Sequence, residues 1–157
     1  MLFIHTWQKV LSGEKTQTRR IVKPNHHPLN YWRTEIGDDL HIGMTGDGTN
    51  IGVVQSSGRD MWQVYNTYAV QPGRGKPAVA RIRITNIRRE DVREISDEDV
   101  KAEGFGCDKD AFLEVWCEMH DREILPMYTA MYRQGWLTTQ PAERYTAWAL
   151  TFELVQT

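Results

Sequence analysis

The stretch AVARIRITNI, residues 78–87, decides the fold class. Ala80, Ile82 and Ile84 alternate with Arg81, Arg83 and Thr85, the period-two pattern of a strand with one apolar and one basic face. Downstream, Ser96 precedes Asp97, Glu98 and Asp99. A hydroxyl at the cap with acids in the first turn is a helix start. This helix is short, and Gly104 ends it. A second helix is predicted from near Asp108, with Ala111, Phe112, Val115, Trp116 and Met119 as its apolar stripe. A last strand runs from Thr146 to Val155, with Trp148, Leu150, Phe152 and Leu154 facing inward. Strands interrupted by short helices predict an α+β domain.

Working back toward residue 1, LFIH (residues 2–5) reads as a short strand. Thr6 then caps a helix whose Trp7, Val10 and Leu11 share one face. Gly13 sits just past its end, where a left-handed backbone suits glycine. KTQTRRIV follows with β character and stops at Lys23-Pro24. Residues 24–37 read as a loop, because prolines, asparagines and paired histidines break any period. GDDLHIG (37–43) reads as a turn into a strand, residues 44–58 as hairpins or a loop, 61–70 as β-prone and QPGRGK (71–76) as a turn. Residues 124–144 are ambiguous between a helical turn over 127–132 and a loop.

The chain has 157 residues, with 40% apolar and 25% charged residues. That is enough to bury a core in one domain, residues 1–157, without disulfide staples. Cys107 and Cys117 have no metal-ligand spacing and read as reduced thiols. No basic leader and no long apolar run is present, so neither a signal peptide nor a membrane span is expected and a cytoplasmic location is the simplest reading. The net charge of −2 argues against a general nucleic-acid coat. Its distribution is uneven: residues 1–93 carry 14 Lys/Arg against 8 Asp/Glu, and residues 94–157 carry 5 against 13. The halves either create a local anion-binding surface or neutralise each other across the fold.

The densest candidate site is Gly13-Glu14-Lys15-Thr16-Gln17-Thr18-Arg19-Arg20. A glycine lets a ligand approach the backbone, a lysine supplies a compact charge and an arginine a planar fork. The same residues also read as an exposed polar edge strand. The GxxxxGK[ST] spacing is absent, so nucleoside-triphosphate hydrolysis has no support. His26 and His27 lack acid or cysteine partners at ligand spacing and read as loop residues, so no metal and no cofactor is expected. Trp32, Trp62, Tyr65 and Tyr68 read either as core or as base-stacking faces. Arg81 and Arg83 read either as surface charge or as phosphate contacts.

The G-x-K-x-x-T-x-R pattern of Gly13, Lys15, Thr18 and Arg20 resembles the signature of the activating signal cointegrator homology (ASCH) domain, a family similar to the RNA-binding PUA barrels. The string SGEKTQTRRIVKP resembles its bacterial and phage-borne members. Gly37-Asp38, the basic strand ARIRIT, ISDEDVKAEGF, FLEVW and the final strand with Trp148 and Phe152 follow in matching order. The resemblance implies a small, partly closed PUA-like β-barrel with flanking helices. Some bacterial members are N4-acetylcytidine amidohydrolases. Their roles fall here on Lys15 as proton acceptor, Thr18 as nucleophile and Glu103 as proton donor, with Gly13, Arg19, Arg20, Arg81 and Arg83 about the substrate. Threonine attacks only when a base takes its proton, and lysine is that base only when burial or a neighbouring cation, such as Arg19 or Arg20, lowers its pKa. Strict alternation would put Lys15 and Thr18 on opposite faces, so the pair needs a bulge or loop. The extra length over residues 43–76 and 120–145 bears on the substrate. The expected partner is a modified nucleoside or single-stranded RNA, with no membrane and no obligate protein partner. A non-catalytic RNA-binding module is the alternative, and a metal-independent ribonuclease a third.

Overall fold

The computed structural model describes residues 1–29, 50–120 and 145–155, together with the backbone of 31–36 and 39–44. The expectations for Trp32, Gly37-Asp38 and residues 124–144 lie outside the described residues.

Two long strands carry the fold. β8 (Ala80–Asp91) and β9 (Thr146–Val155) pair antiparallel along their lengths. β1 (Gln17–Ile21) lines the free edge of β9, and β7 (Thr67–Val70) that of β8, so the sheet order is β1-β9-β8-β7. A second sheet has the order β2-β5-β6, from His26–Leu29, Gly52–Gln55 and Asp60–Gln63. β3 (Tyr31–Ile36) and β4 (Asp39–Met44) form a hairpin. The described strands thus make separate sheets, with β1 and β7 as open edges of the larger one, rather than one closed barrel.

A bulge organises the main sheet. Ile84 pairs with Phe152, but Asn86 pairs with Thr151, so Thr85 is an extra residue in β8. The insertion reverses the parity of everything beyond it. Ile82 and Ile84 before the bulge and Ile87 after it therefore share one face with Trp148, Leu150 and Phe152. The same shift sends Arg88 and Glu90 to the other face, beside Ala149 and Ala147.

Both faces are covered. The second sheet packs over Val22, Ile84, Ile87, Trp148 and Leu150 through Val53, Met61 and Trp62. Beside it, α1 (Trp7–Leu11) presses Val10 onto Phe3, Ile82 and Phe152. The opposite face carries Ile21 and Ala147 under Val100, Phe112 and Trp116 from α2 (Asp97–Ala102) and α3 (109–120). Covered on both sides, β9 buries four successive residues, Ala147 to Leu150, where alternation alone predicts two. Leu154 lies beyond that cover and is exposed, as are Val115 and Met119 of the expected α3 stripe.

α2 ends as its residues require. Ser96 Oγ accepts the Asp99 N–H at 3.2 Å. At the other end, Gly104 adopts φ +89°, its N–H bonds Lys101 O, and the Phe105 N–H bonds Val100 O. This is a Schellman cap, which places Glu103 at a defined point past the helix. Ser96→Ala removes the N-cap and is expected to cost about 1 kcal/mol. Differential scanning calorimetry should show the midpoint falling by roughly 2–4 °C.

The segment around residues 2–5 is not a strand. Leu2 makes one parallel bridge to Gln71, and the chain turns at once into α1. The stretch 24–37 is also more ordered than expected, since it holds β2 and β3. Pro28 is tolerated because β2 is an edge strand. Among the described residues no helix is long and apolar enough to cross a membrane.

Candidate functional site

Lys15 lies just before β1, between two helix ends. Its N–H bonds Lys9 O in α1 at 2.9 Å, and the next N–H, of Thr16, bonds Ala102 O in α2 at 2.9 Å. Strand alternation begins only at Gln17, so it does not dictate where Lys15 points. The Lys15 side chain is 4% exposed and meets Glu103, itself 4% exposed. Nζ donates to Glu103 Oε2 at 2.5 Å and to the Glu103 carbonyl at 2.9 Å. Eighty-eight residues separate the two in sequence.

Arg19 completes the charge cluster. Its Nη1 donates to Glu103 Oε1 at 3.1 Å and to Gln17 Oε1 at 2.9 Å, and its Nη2 to Asp99 Oδ2 at 2.9 Å. Its Nε donates to Glu90 Oε1. Gln17 Nε2 donates to the other Asp99 oxygen at 2.9 Å, and Arg88 reaches both Asp99 and Glu90. Burial of these charges is tolerated because nearly every donor has a charged or polar acceptor.

The electrostatics separate the two cations. Burial pulls the Lys15 ammonium below the ordinary lysine value of 10.5, the Glu103 carboxylate opposes this, and Arg20 and Arg19 add to it. Burial also works against the Arg19 charge, but Glu90 and Glu103 more than offset it, so its guanidinium is held more firmly protonated than usual. Lys15 is therefore the cation in this cluster whose proton is the more easily removed.

Of the expected site residues, the fold brings Lys15, Arg19 and Glu103 together. Thr18 is buried but faces the other side of β1, paired with Leu150, and among the described residues no hydrogen bond joins it to Lys15 or Glu103. Arg20 shares the Thr18 face. Its Nη2 donates to Leu2 O at 2.8 Å and its guanidinium lies 5.7 Å from the Phe3 ring centroid. Gly13 closes α1 with φ +77°. Arg81 and Arg83 stand apart: Arg81 Nη2 donates to Thr67 Oγ1 at 3.0 Å, and Arg83 pairs with Glu153 at 3.1 Å, both exposed. Neither shares a partner with the cluster. Trp62 and Tyr68 pack against the core, whereas Tyr65 is exposed with φ +71°. Among the described residues no group of acids, histidines and cysteines could hold a metal ion.

Three members of the cluster, Arg88, Glu90 and Asp99, lie outside the stretch Gly13–Arg20 that holds Gln17 and Arg19. Asp99 reads in the sequence only as a first-turn acid of the helix, and Arg88 and Glu90 follow the end of the alternating stretch 78–87. The signal that joins Arg88 and Glu90 to Arg19 is the parity shift at Thr85, which requires the pairing with β9 to be known.

No protein-family model matches the chain, and no curated protein does. Among solved structures, the crystal structure of protein EF3133 from Enterococcus faecalis V583, a DUF984 protein, aligns with 95% of this chain and 69% of its own at a TM-score of 0.55. The two chains share a fold. They do so at 15% sequence identity. A crystal structure of an ASCH domain from Lactobacillus crispatus JV V101 aligns at a TM-score of 0.48 and 21% identity, covering 94% of this chain and 69% of that one.

Proposed function

We propose that this chain is an ASCH-type, PUA-like domain that binds a modified pyrimidine nucleoside and hydrolyses its N4-acyl amide. The single observation that carries the reading is the buried Lys15–Glu103 pair, which joins an amine of weakened basicity to a carboxyl group at 2.5 Å. In this reading Lys15 passes its proton to Glu103 Oε2, and the freed amine takes the Thr18 hydroxyl proton as Oγ1 attacks the acyl carbon. The step requires Thr18, which faces the other side of β1, to swing toward Lys15 when substrate binds. The tetrahedral intermediate expels the N4 amine, which takes a proton from Glu103. Water then cleaves the acyl-threonine ester, releasing the carboxylic acid and restoring Thr18. Arg19 fixes one oxygen of Glu103 and leaves the other to Lys15.

A second reading, an RNA-binding module without chemistry, is favoured by the Lys15 ammonium being held already, by the Glu103 main-chain carbonyl and by Oε2. The test incubates the protein with N4-acetylcytidine and, separately, titrates it with single-stranded RNA at increasing salt. Release of cytidine supports the hydrolase. Salt-sensitive binding without turnover supports the module. For the hydrolase a pH profile adds a sign. A base held below 10.5 is deprotonated sooner than free lysine, so the rate should climb with pH and level off before that value. A rate that falls with pH over this range contradicts Lys15 as the base.

A further inference from the structure

His26 lies at the contact between the two larger sheets, in β2 and 8% exposed. Two N–H groups point at one of its ring nitrogens. The Lys23 main-chain N–H and the Trp148 indole N–H each donate to Nδ1, both at 3.3 Å. A nitrogen that accepts twice carries no hydrogen, so a neutral ring has its proton on Nε2. Nε2 is buried and has no hydrogen-bond partner. The ring stands edge-on to Trp62 of β6, centroids 5.9 Å apart and planes at 86°.

We infer that His26 is a neutral latch between the sheets, and that a second proton, gained on acidification, breaks its bond to Trp148 and loosens β2-β5-β6 from the main sheet. Protonation can occur only at Nδ1, where the new N–H would face two donors instead of accepting from them. The surroundings offer the charged ring nothing in return. On its own segment the titratable neighbours are Lys23 and His27. Trp148 pairs with Arg20 in β1 and Arg89 in β8. β5 places Gln55 opposite His26, and β6 brings Trp62 and, at its start, Asp60, which is paired with Val54 and makes no bond to the ring. Burial, then Lys23, then His27 hold the ring below the ordinary value of 6.5. A histidine depressed in the folded state binds fewer protons than the unfolded chain, so its contribution to stability is present above 6.5 and is lost as pH falls toward the folded value. The sheet it would loosen packs on Trp148 and Leu150, the β9 residues paired with Arg20 and Thr18.

The inference is independent of any catalytic reading, and its test uses no substrate. Amide exchange and the Trp148 indole resonance are followed by NMR from pH 7.5 to 4.5, in the wild type and in His26→Asn, whose side-chain oxygen can accept as Nδ1 does without titrating. In the wild type, protection in β2 and β5, corrected for intrinsic exchange, should fall severalfold while the Trp148 indole shift follows one midpoint below 6.5. In His26→Asn both should stay flat. Equal behaviour of the two proteins, or an indole resonance that ignores the His26 titration, overturns the latch. Should the variant fail to fold, the wild-type ring nitrogen shifts decide alone: a proton on Nδ1 at neutral pH overturns the inference.

Discussion

Lys15→Ala is expected to lower N4-acetylcytidine hydrolysis by about 10²–10⁴-fold, the span that general-base catalysis contributes. The loss should fall on kcat, because the amine is asked to act as Thr18 attacks and not as substrate binds. The protein should stay folded. Glu103 keeps its bond to Arg19 when Lys15 is gone, so the carboxylate is not left without a cation. Lys15→Arg makes the sharper control. It keeps a positive charge near Glu103 but cannot give up its proton at accessible pH. Activity retained in Lys15→Arg would remove Lys15 from the role of base, while preserved RNA affinity in that variant would favour the binding module.

Arg19→Ala has the largest expected effect on stability. Arg19 is the shared partner of Glu103, Asp99 and Glu90, with its side chain 1% exposed. Its removal leaves Glu103 with Lys15 alone, and Asp99 and Glu90 with the half-exposed Arg88. Breaking a buried ion pair from one side costs about 3–5 kcal/mol. For a chain of this length that is a midpoint lowered by roughly 10 °C in thermal unfolding. Arg83→Ala is the matched comparison. It removes an exposed pair with Glu153, and such pairs contribute about 0–1 kcal/mol. Equal losses from the two variants would show that the cluster around Arg19 is not the anchor between α2, β1 and β8.

The features legible in the sequence were those set by neighbouring residues. Ser96 with its trailing acids, Gly13 and Gly104 past their helices, and the bounds of β9 all follow from local rules. The glycines have the positive φ that their positions imply. What local rules could not reach was made by partners distant in the chain. β2 looks like a loop because His26, His27 and Pro28 have little strand preference, and it exists by pairing with β5. Leu154 continues the alternation of its strand but outruns the layers that cover it. In the site, the motif named Lys15, Thr18 and Arg20, but the residue that ties Glu103 to three elements is Arg19. Arg81 and Arg83 share a strand with the cluster members Arg88 and Glu90, but they lie before Thr85 and turn to other partners.

That one inserted residue has a reach beyond its own neighbourhood. Thr85 behaves as a gear tooth: β8 enters it with its isoleucines on the even numbers and leaves it with Ile87 on the odd. Drawn into the ladder opposite Thr151, it would move every later residue of β8 one place along β9. Arg88 would then face Trp148 and the second sheet, and Ile87 would be lifted out to where Arg19 waits for an acid. Cutting Thr85 out does the reverse: Ile84–Phe152 and Asn86–Thr151 would follow one another as regular pairs, and Ile87 and Arg88 would keep their sides. The apolar core and the ionic cluster are thus held apart by a residue that belongs to neither.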